Sequence, residues 1–296
     1  MKRITRQQVA YVTGGLSILL LAISLWGVYV DPYREYKEKY HLKSTSSLYT
    51  ILDDSFHSNG PSGKFLSDVV NNIGRTVKYD WPDDVDYMPI QENWILHFLK
   101  SVDPLVSRYL LSDPKTKLFG KVELPDYDHA FSRGFGICSQ LSLGTADLLY
   151  KRYGINARVA GLNGHVTVQI VGVAGKDIII DPSFSALTVG HVLRPDLIDK
   201  EFLKSNDLVR DAYLSKDDNY IAERAGWSAY SKSNTKKQWL LFHFVIVSYW
   251  MKWLVPLAGF AFSLFNSKVS RSGLIGFLGV WLTRIIGQPS GIATRV

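Results

Sequence analysis

Two long apolar stretches flank a mixed region in this chain. The first, Val9–Val30, is 22 residues long and carries no charged side chain. A helix of about 20 apolar residues is long enough to cross a bilayer. The second, Gln238–Asn266, is apolar and aromatic, although Lys252 lies near its middle. The pattern therefore predicts two transmembrane helices, one on each side of a central region.

The first stretch also has a feature of a cleaved signal peptide, because Ala22-Ile23-Ser24 fits a small-x-small cleavage site. Its apolar run is longer than the about 7–15 residues of a signal-peptide core, however, so we expect residues 1–30 to stay as an anchor. After the second span (238–266), residues 267–296 form a basic tail. The apolar stretch Gly273–Gly287 in that tail is short for a span, and we expect it at the membrane interface. A hairpin formed by residues 254–287 is the alternative.

Between the spans, the pattern is helical first and extended afterwards. Residues 31–60 have the polar composition of a connector, with a short helix at Tyr33–Tyr40. Apolar positions then recur at helical spacing up to residue 112. They form two faces, one with Phe65, Val69 and Ile73 and the other with Trp94, Phe98 and Leu99. Asp113–Asp126 is rich in turn residues and predicts a loop.

The extended part begins after a helix at Ser139–Tyr153, for which Gly154 is a suitable stop. Alternating apolar residues predict three strands at Asn156–Ala160, His165–Ile170 and Asp177–Asp181. Gly172–Gly175 separates the last two strands and predicts an antiparallel hairpin. A further helix is expected around Leu197–Tyr213. Helices followed by strands indicate an α+β fold.

The net charge of +7 comes from the flanks of the chain. The chain has 34 Lys and Arg against 27 Asp and Glu, yet residues 31–237 hold 26 of these basic residues and all 27 acidic ones. A nucleic-acid-binding domain would carry a basic patch, so we expect no nucleic-acid partner. The basic residues next to the spans are Lys2, Arg3, Arg6, Lys268 and Arg271. Such residues tend to stay cytoplasmic. We therefore expect both ends inside a cytoplasmic membrane and residues 31–237 on its periplasmic or extracellular side.

Cys138 is the only cysteine, so no disulfide can form within the chain. It follows Gly134-Phe135-Gly136-Ile137 and opens the predicted helix. The free N–H groups and partial positive charge of a helix N-terminus favour a thiolate and can stabilise an oxyanion. A free cysteine is more often a small buried apolar residue, so its position alone does not establish reactivity.

His165 and Asp181 lie on the two strands of the predicted hairpin. We expect them to be directly opposite, which places their Cβ atoms ~4.5–5.5 Å apart. Asp181 would then orient the imidazole toward Cys138, as in covalent acyl transfer. Each residue also has a structural explanation, His165 as a strand-edge histidine and Asp181 as the start of an Asp-Pro turn. The three together favour a catalytic triad.

Residues 128–185 contain four short motifs: Gly136-Ile-Cys138-Ser-Gln, Tyr153-Gly-Ile-Asn-Ala-Arg-Val159, Gly164-His165-Val-Thr-Val and Ile180-Asp181-Pro-Ser183. Together they resemble the core of the transglutaminase-like superfamily. The resemblance implies a papain/transglutaminase-like core, in which a Cys-bearing helix packs on an antiparallel sheet. It also implies that Cys138 is the nucleophile, His165 the base and Asp181 the orienting acid. The chain departs from the family at Thr167, where an aromatic residue is common. The additional oxyanion donor of the family is not identified, and Tyr127, His129 and Gln140 are the candidates.

The leading hypothesis is a membrane-anchored cysteine peptidase, amidase or transamidase that acts on a peptide, protein or other amide-bearing substrate of the cell envelope. The alternative is a non-catalytic binding module of a membrane complex, with a membrane-protein partner. His129 and His191 lack the spacing of a metal site, and no nucleotide-binding fingerprint is present, so we expect neither a metal nor a cofactor. The acidic pair Asp83-Asp84 is interpreted as a solvated turn.

Overall fold

The structure is a computed structural model that describes most of the chain. The described residues are 5–80, 82, 85–86, 88–110, 123–124, 126–173, 175–205, 207–215, 219–223, 225 and 235–267. Three predictions lie wholly or mostly outside them: the turn at Asp83-Asp84, the loop at Asp113–Asp126 and the tail at 267–296 with its stretch Gly273–Gly287. Contacts divide the chain into two compact units, one made of residues 1–25 and 251–296 and the other of residues 26–250.

Ten α-helices are described: α1 (Arg6–Tyr29), α2 (Arg34–Lys39), α3 (Thr45–Asn59), α4 (Gly63–Thr76), α5 (Trp94–Leu110), α6 (Tyr127–Ser132), α7 (Cys138–Tyr153), α8 (Lys200–Ser205), α9 (Asp207–Leu214) and α10 (Thr235–Asn266). The described strands are β1 (Lys78–Tyr79), β2 (Phe135–Gly136), β3 (Ala157–Leu162), β4 (His165–Val173), β5 (Lys176–Asp181), β6 (Ala186–Val189) and β7 (Tyr220–Ile221). A 3₁₀ turn covers Pro195–Leu197. The prediction of an α+β fold is therefore confirmed, because the described residues form both helices and strands.

The smaller unit pairs α1 with the second half of α10. Small residues line the contact: a Cβ at Gly14 would collide with the Ser263 hydroxyl, and one at Gly259 would collide with Ser17. At the other end of the contact, the Ser24 hydroxyl donates to the Lys252 carbonyl oxygen at 3.3 Å. Along this contact the residue numbers increase in α1 while they decrease in α10, so the two helices run antiparallel.

Both apolar stretches are helical as predicted. The segments Arg6–Lys39, which joins α1 and α2, and His243–Asn266 are long and apolar enough to cross a membrane by length and composition. α10 remains one helix although Pro256 lies inside it. Large apolar side chains on both helices are exposed, among them Val12, Leu16 and Leu257.

The larger unit is built around a five-stranded antiparallel sheet with the strand order β6-β5-β4-β3-β7. α7 packs against β3 and β4 and is buried on all sides from Ser139 to Leu149. It ends at Gly154, which adopts the left-handed conformation (φ 66°) and donates its N–H to the Tyr150 oxygen, while the Ile155 N–H donates to the Leu149 oxygen. The predicted helix and its stop are therefore confirmed. A core of apolar residues from α3, α4, α7 and the sheet surrounds this helix.

The hairpin of β4 and β5 has the predicted direction but a different register. Val168 faces Ile180 and Gln169 faces Ile179, so Thr167, rather than His165, comes opposite Asp181. The position of the turn causes this difference, because the turn lies between Val173 and Lys176 instead of being centred on Val173. A β-bulge between Ile170 and Val173, where two residues of β4 face one residue of β5, offsets the difference by one residue. Gly172 takes the positive φ of 77° within the bulge.

Three other predictions were wrong in detail. Residues 31–60 are not only a connector, since α3 begins within them after the Ser44 N-cap. Phe98 is 62% exposed, and Leu96 is the fully buried residue of that part of α5. The helix expected around Leu197–Tyr213 is divided into the 3₁₀ turn, α8 and α9.

Candidate active site

Cys138 is held by the short strand that precedes its helix. β2 pairs in parallel with β1, with Tyr79 opposite Gly136, and Ile137 continues in extended conformation before α7 begins at Cys138. The Phe135 ring packs edge-on against Tyr33 and Tyr36, with ring centroids 5.4 and 5.1 Å away. Cys138 itself is partly exposed. The local structure therefore presents a thiol at a helix N-terminus from a rigid, buried strand.

Side chains of α7 fix this N-terminus to its surroundings. Both ends of the Gln140 carboxamide bind the main chain of Leu124, accepting from its N–H at 2.5 Å and donating to its oxygen at 2.7 Å. The Ser142 hydroxyl donates to the Val166 carbonyl oxygen at 2.9 Å. This last bond ties α7 to β4 one residue away from His165.

His165 opens β4 directly after a tight turn. Leu162 pairs with His165, so Asn163-Gly164 is a two-residue hairpin loop, in which Gly164 has a φ of 77°. Glycine adopts this positive φ without steric cost, which suits Gly164 to the second position of the loop. The turn places His165 at the end of the sheet, where its ring can reach α7.

The structure brings His165, Asp181 and Cys138 together. His165 Nε2 lies 2.7 Å from Asp181 Oδ2, although the two residues are diagonal rather than opposite on their strands. Diagonal neighbours share a face and lie within reach of long side chains. The imidazole is also near enough to Cys138 for the two groups to interact electrostatically. Because Nε2 is engaged by the carboxylate, Nδ1 is the nitrogen available to the sulfur.

The two partners of His165 govern its protonation. Burial alone would lower the pKa of His165, but the hydrogen bonds and charges of Asp181 and Cys138 raise it to about 9. The folded protein therefore retains an imidazolium at neutral pH, between a carboxylate and a thiol.

Asp181 has further hydrogen-bond donors. Its Oδ2 accepts from the Tyr213 hydroxyl at 2.7 Å, and its Oδ1 accepts from the Ser183 N–H at 3.2 Å. The same Tyr213 hydroxyl is 3.1 Å from Thr167 Oγ1, and Thr167 donates to the Ile180 oxygen at 2.6 Å. The small side chain of Thr167 therefore lies beside an aromatic residue from α9.

Tyr79 is a site residue that the sequence reasoning missed. Its hydroxyl interacts electrostatically with Cys138, and its ring lies 5.8 Å from Phe184, which itself lies 5.7 Å from the His165 ring. Burial, followed by the negative charges of Cys138 and Asp181, raises the pKa of Tyr79, so the phenol stays a donor. Strand β1 has only two residues, too few for a periodic signal, and only its pairing with β2 reveals the contact.

The three proposed oxyanion donors are engaged elsewhere. Gln140 binds Leu124, as described above. The Tyr127 ring packs on Tyr49 at 5.6 Å, and His129 Nδ1 lies 2.5 Å from Asp126. Tyr79, by contrast, places a hydroxyl beside the sulfur. Among the described residues, no group of three or more His, Cys, Asp or Glu could hold a metal ion.

Comparisons with protein-family models, curated proteins and solved structures found no match to this chain. The transglutaminase-like resemblance therefore remains an expectation from the motifs.

Proposed function

We propose that the protein is a membrane-anchored cysteine acyl-transfer enzyme that acts on an amide-bearing substrate outside the cytoplasm. The single observation that carries the proposal is the buried imidazole of His165, which contacts the Asp181 carboxylate on one side and the Cys138 thiol on the other. A nucleophile, a base and an orienting acid in contact are the requirement for covalent acyl transfer.

The proposed reaction follows from the position of each group. The Cys138 thiolate attacks the amide carbon, and the carbonyl oxygen becomes an oxyanion. The N–H groups at the start of α7 and the Tyr79 hydroxyl are the donors nearest to that oxygen. The amide nitrogen then leaves as an amine with a proton from the His165 imidazolium, and a thioester remains on Cys138. Neutral His165 next removes a proton from water or a second amine, which attacks the thioester and restores the thiol.

The membrane part of the proposal rests on the smaller unit. Two exposed apolar helices that run antiparallel would place both of their outer ends on one side of a bilayer. Lys2, Arg3 and Arg6 precede the first helix, while Lys268 and Arg271 follow the second. By the positive-inside rule that side is cytoplasmic, so Cys138 would face the periplasmic or extracellular side.

The test uses the full-length protein in membrane vesicles and a peptide acyl electrophile with a detectable tag. Because Cys138 is the only cysteine, all thiol labelling reports this one site. We expect labelling of the wild type, none of Cys138→Ser, and a rate at least about tenfold lower for His165→Gln. Equal rates in His165→Gln and the wild type would contradict the proposal and favour a binding module.

A second measurement tests the location. A membrane-impermeant maleimide added to intact cells should label Cys138 without permeabilisation, since the thiol is expected outside. Labelling that appears only after permeabilisation would reverse the proposed topology and remove the argument for an envelope substrate.

A further inference from the structure

Asp181 is held by a residue outside the segment that carries the family motifs. The carboxylate oxygen that receives His165 Nε2 also receives the Tyr213 hydroxyl, both at 2.7 Å. Tyr213 lies on α9, 32 residues after Asp181, and none of its surface is exposed. One carboxylate oxygen thus accepts hydrogen bonds from two donors, and only His165 of these belongs to the predicted triad.

The hydrogen-bond directions around Tyr213 favour donation to Asp181. A carboxylate accepts only, and a hydrogen bond to a charged acceptor is about twice as strong as one between neutral groups. Thr167 is the other neighbour of the hydroxyl, but it is farther away, and its own proton faces the Ile180 oxygen at 2.6 Å. The single phenolic proton of Tyr213 is therefore best used in the hydrogen bond to Asp181.

We propose that Tyr213 is a positioning residue of the catalytic centre, which aims the Asp181 carboxylate at His165 and takes up part of its negative charge. This inference rests on the proposed acyl-transfer function. Tyr213 touches neither the thiol nor the reacting amide, so it acts through Asp181 and His165. The raised pKa of Tyr213, caused by burial and by the Asp181 charge, keeps the phenol protonated and available as a donor.

The proposal makes a prediction that packing alone does not. Without the hydroxyl, Asp181 has one donor fewer, and its charge acts more fully on the imidazolium. The pKa of His165 should then rise further, while the aim of the ring becomes less fixed. A tyrosine needed only to fill space beside Phe202, 5.2 Å from it, would affect stability but not this titration.

Several ionisable side chains face His165, and their titrations must be distinguished from that of the imidazole. They are Cys138 from α7, Asp181 from β5 and Tyr213 from α9, while Tyr79 from β1 faces both Cys138 and Asp181. An alkaline step in thiol reactivity that disappears in His165→Gln therefore belongs to the imidazole.

The experiment measures iodoacetamide alkylation of Cys138 against pH in the full-length, detergent-solubilised protein. The variants are Tyr213→Phe, which keeps the ring, and Thr167→Val, which removes the neighbouring hydroxyl but leaves the bond to Asp181. We expect Tyr213→Phe to move the alkaline step up by about 0.5–1 pH unit and to lower acyl-probe labelling at neutral pH about tenfold. Thr167→Val should leave the step unchanged.

The outcomes separate this inference from the function on which it rests. An alkaline step that is the same in Tyr213→Phe and the wild type overturns the positioning role. An equal shift in Thr167→Val and Tyr213→Phe also overturns it, because a general loosening of the site would then explain both. If His165→Gln keeps the wild-type profile, the proposed acyl-transfer function itself fails.

Discussion

The ion pairing of His165 should make the stability of the larger unit depend on pH. The pKa of His165 is raised from 6.5 to about 9 in the folded protein. A group whose folded pKa is raised contributes stability that is fully present below about pH 6.5 and is lost as the pH rises through about 9. At about 1.4 kcal/mol per unit, the loss amounts to about 3 kcal/mol.

Urea unfolding of the full-length protein in a mild detergent measures this loss, with the fluorescence of the eight tryptophans as the signal. A reductant keeps Cys138 from oxidising, and urea leaves the ionic strength unchanged. With a slope of about 2 kcal/mol per molar urea, the midpoint should fall by about 1.5 M more in the wild type than in His165→Gln between about pH 6 and about pH 10. Subtracting the variant removes the contribution of other groups that titrate in this range.

Cys138→Ser is the matched control, because it keeps Asp181 but removes one of the two groups that raise the pKa of His165. Its midpoint should fall by an intermediate amount. If the wild type and His165→Gln lose the same stability over this range, the imidazolium is not held between the two partners, and the reasoning fails.

Three further predictions concern single side chains. Tyr79→Phe should lower the rate of acyl transfer by about 10²-fold while Cys138→Ser remains the inactive reference, since an oxyanion donor is lost; unchanged turnover of a labelled peptide amide would exclude this role. Phe135→Ala should destabilise the larger unit by about 3–5 kcal/mol in the same urea assay, because a buried ring is removed; a change below about 1 kcal/mol would contradict the packing described. Gly14→Leu should lower the thermal stability of the detergent-solubilised protein, whereas Gly15→Leu should not, because only at Gly14 does an added Cβ collide with the opposing helix; equal effects would argue against the helix pair.

The elements around Cys138 could be predicted because their signals are local. The helix start after Gly136 and the stop at Gly154 are encoded within a few residues, and the alternation in β4 and β5 sets which side chains share a face. Cys138, His165 and Asp181, which the structure brings together, could therefore be named from the sequence alone.

The rest of the site depends on contacts between distant parts of the chain. Tyr79 reaches Cys138 through two strands of two residues each, and Tyr213 reaches Asp181 from a short helix 32 residues farther on. Neither has a periodic pattern around it that indicates a function. The register of the hairpin was mistaken because the turn was centred on Val173, whereas Val173 pairs with Lys176, and the bulge offsets only one residue of the resulting shift. α3 was missed because only Leu48 and Leu52 of its residues are buried.

The bulge in β4 also determines which changes in the length of this strand the protein can tolerate. Near the turn, Val173 pairs with Lys176, and an unbroken ladder from that pair would put Asp181 opposite Val168, on the other face of the sheet from His165. The extra residue of the bulge brings Asp181 back to the face that carries His165. The bulge therefore gives β4 one spare residue. Deletion of a single residue between Thr167 and Val173 can be absorbed by loss of the bulge, which keeps Thr167 opposite Asp181 and the acid on the face of its base. A second deletion would bring Asp181 opposite Val166 and turn the acid away from His165.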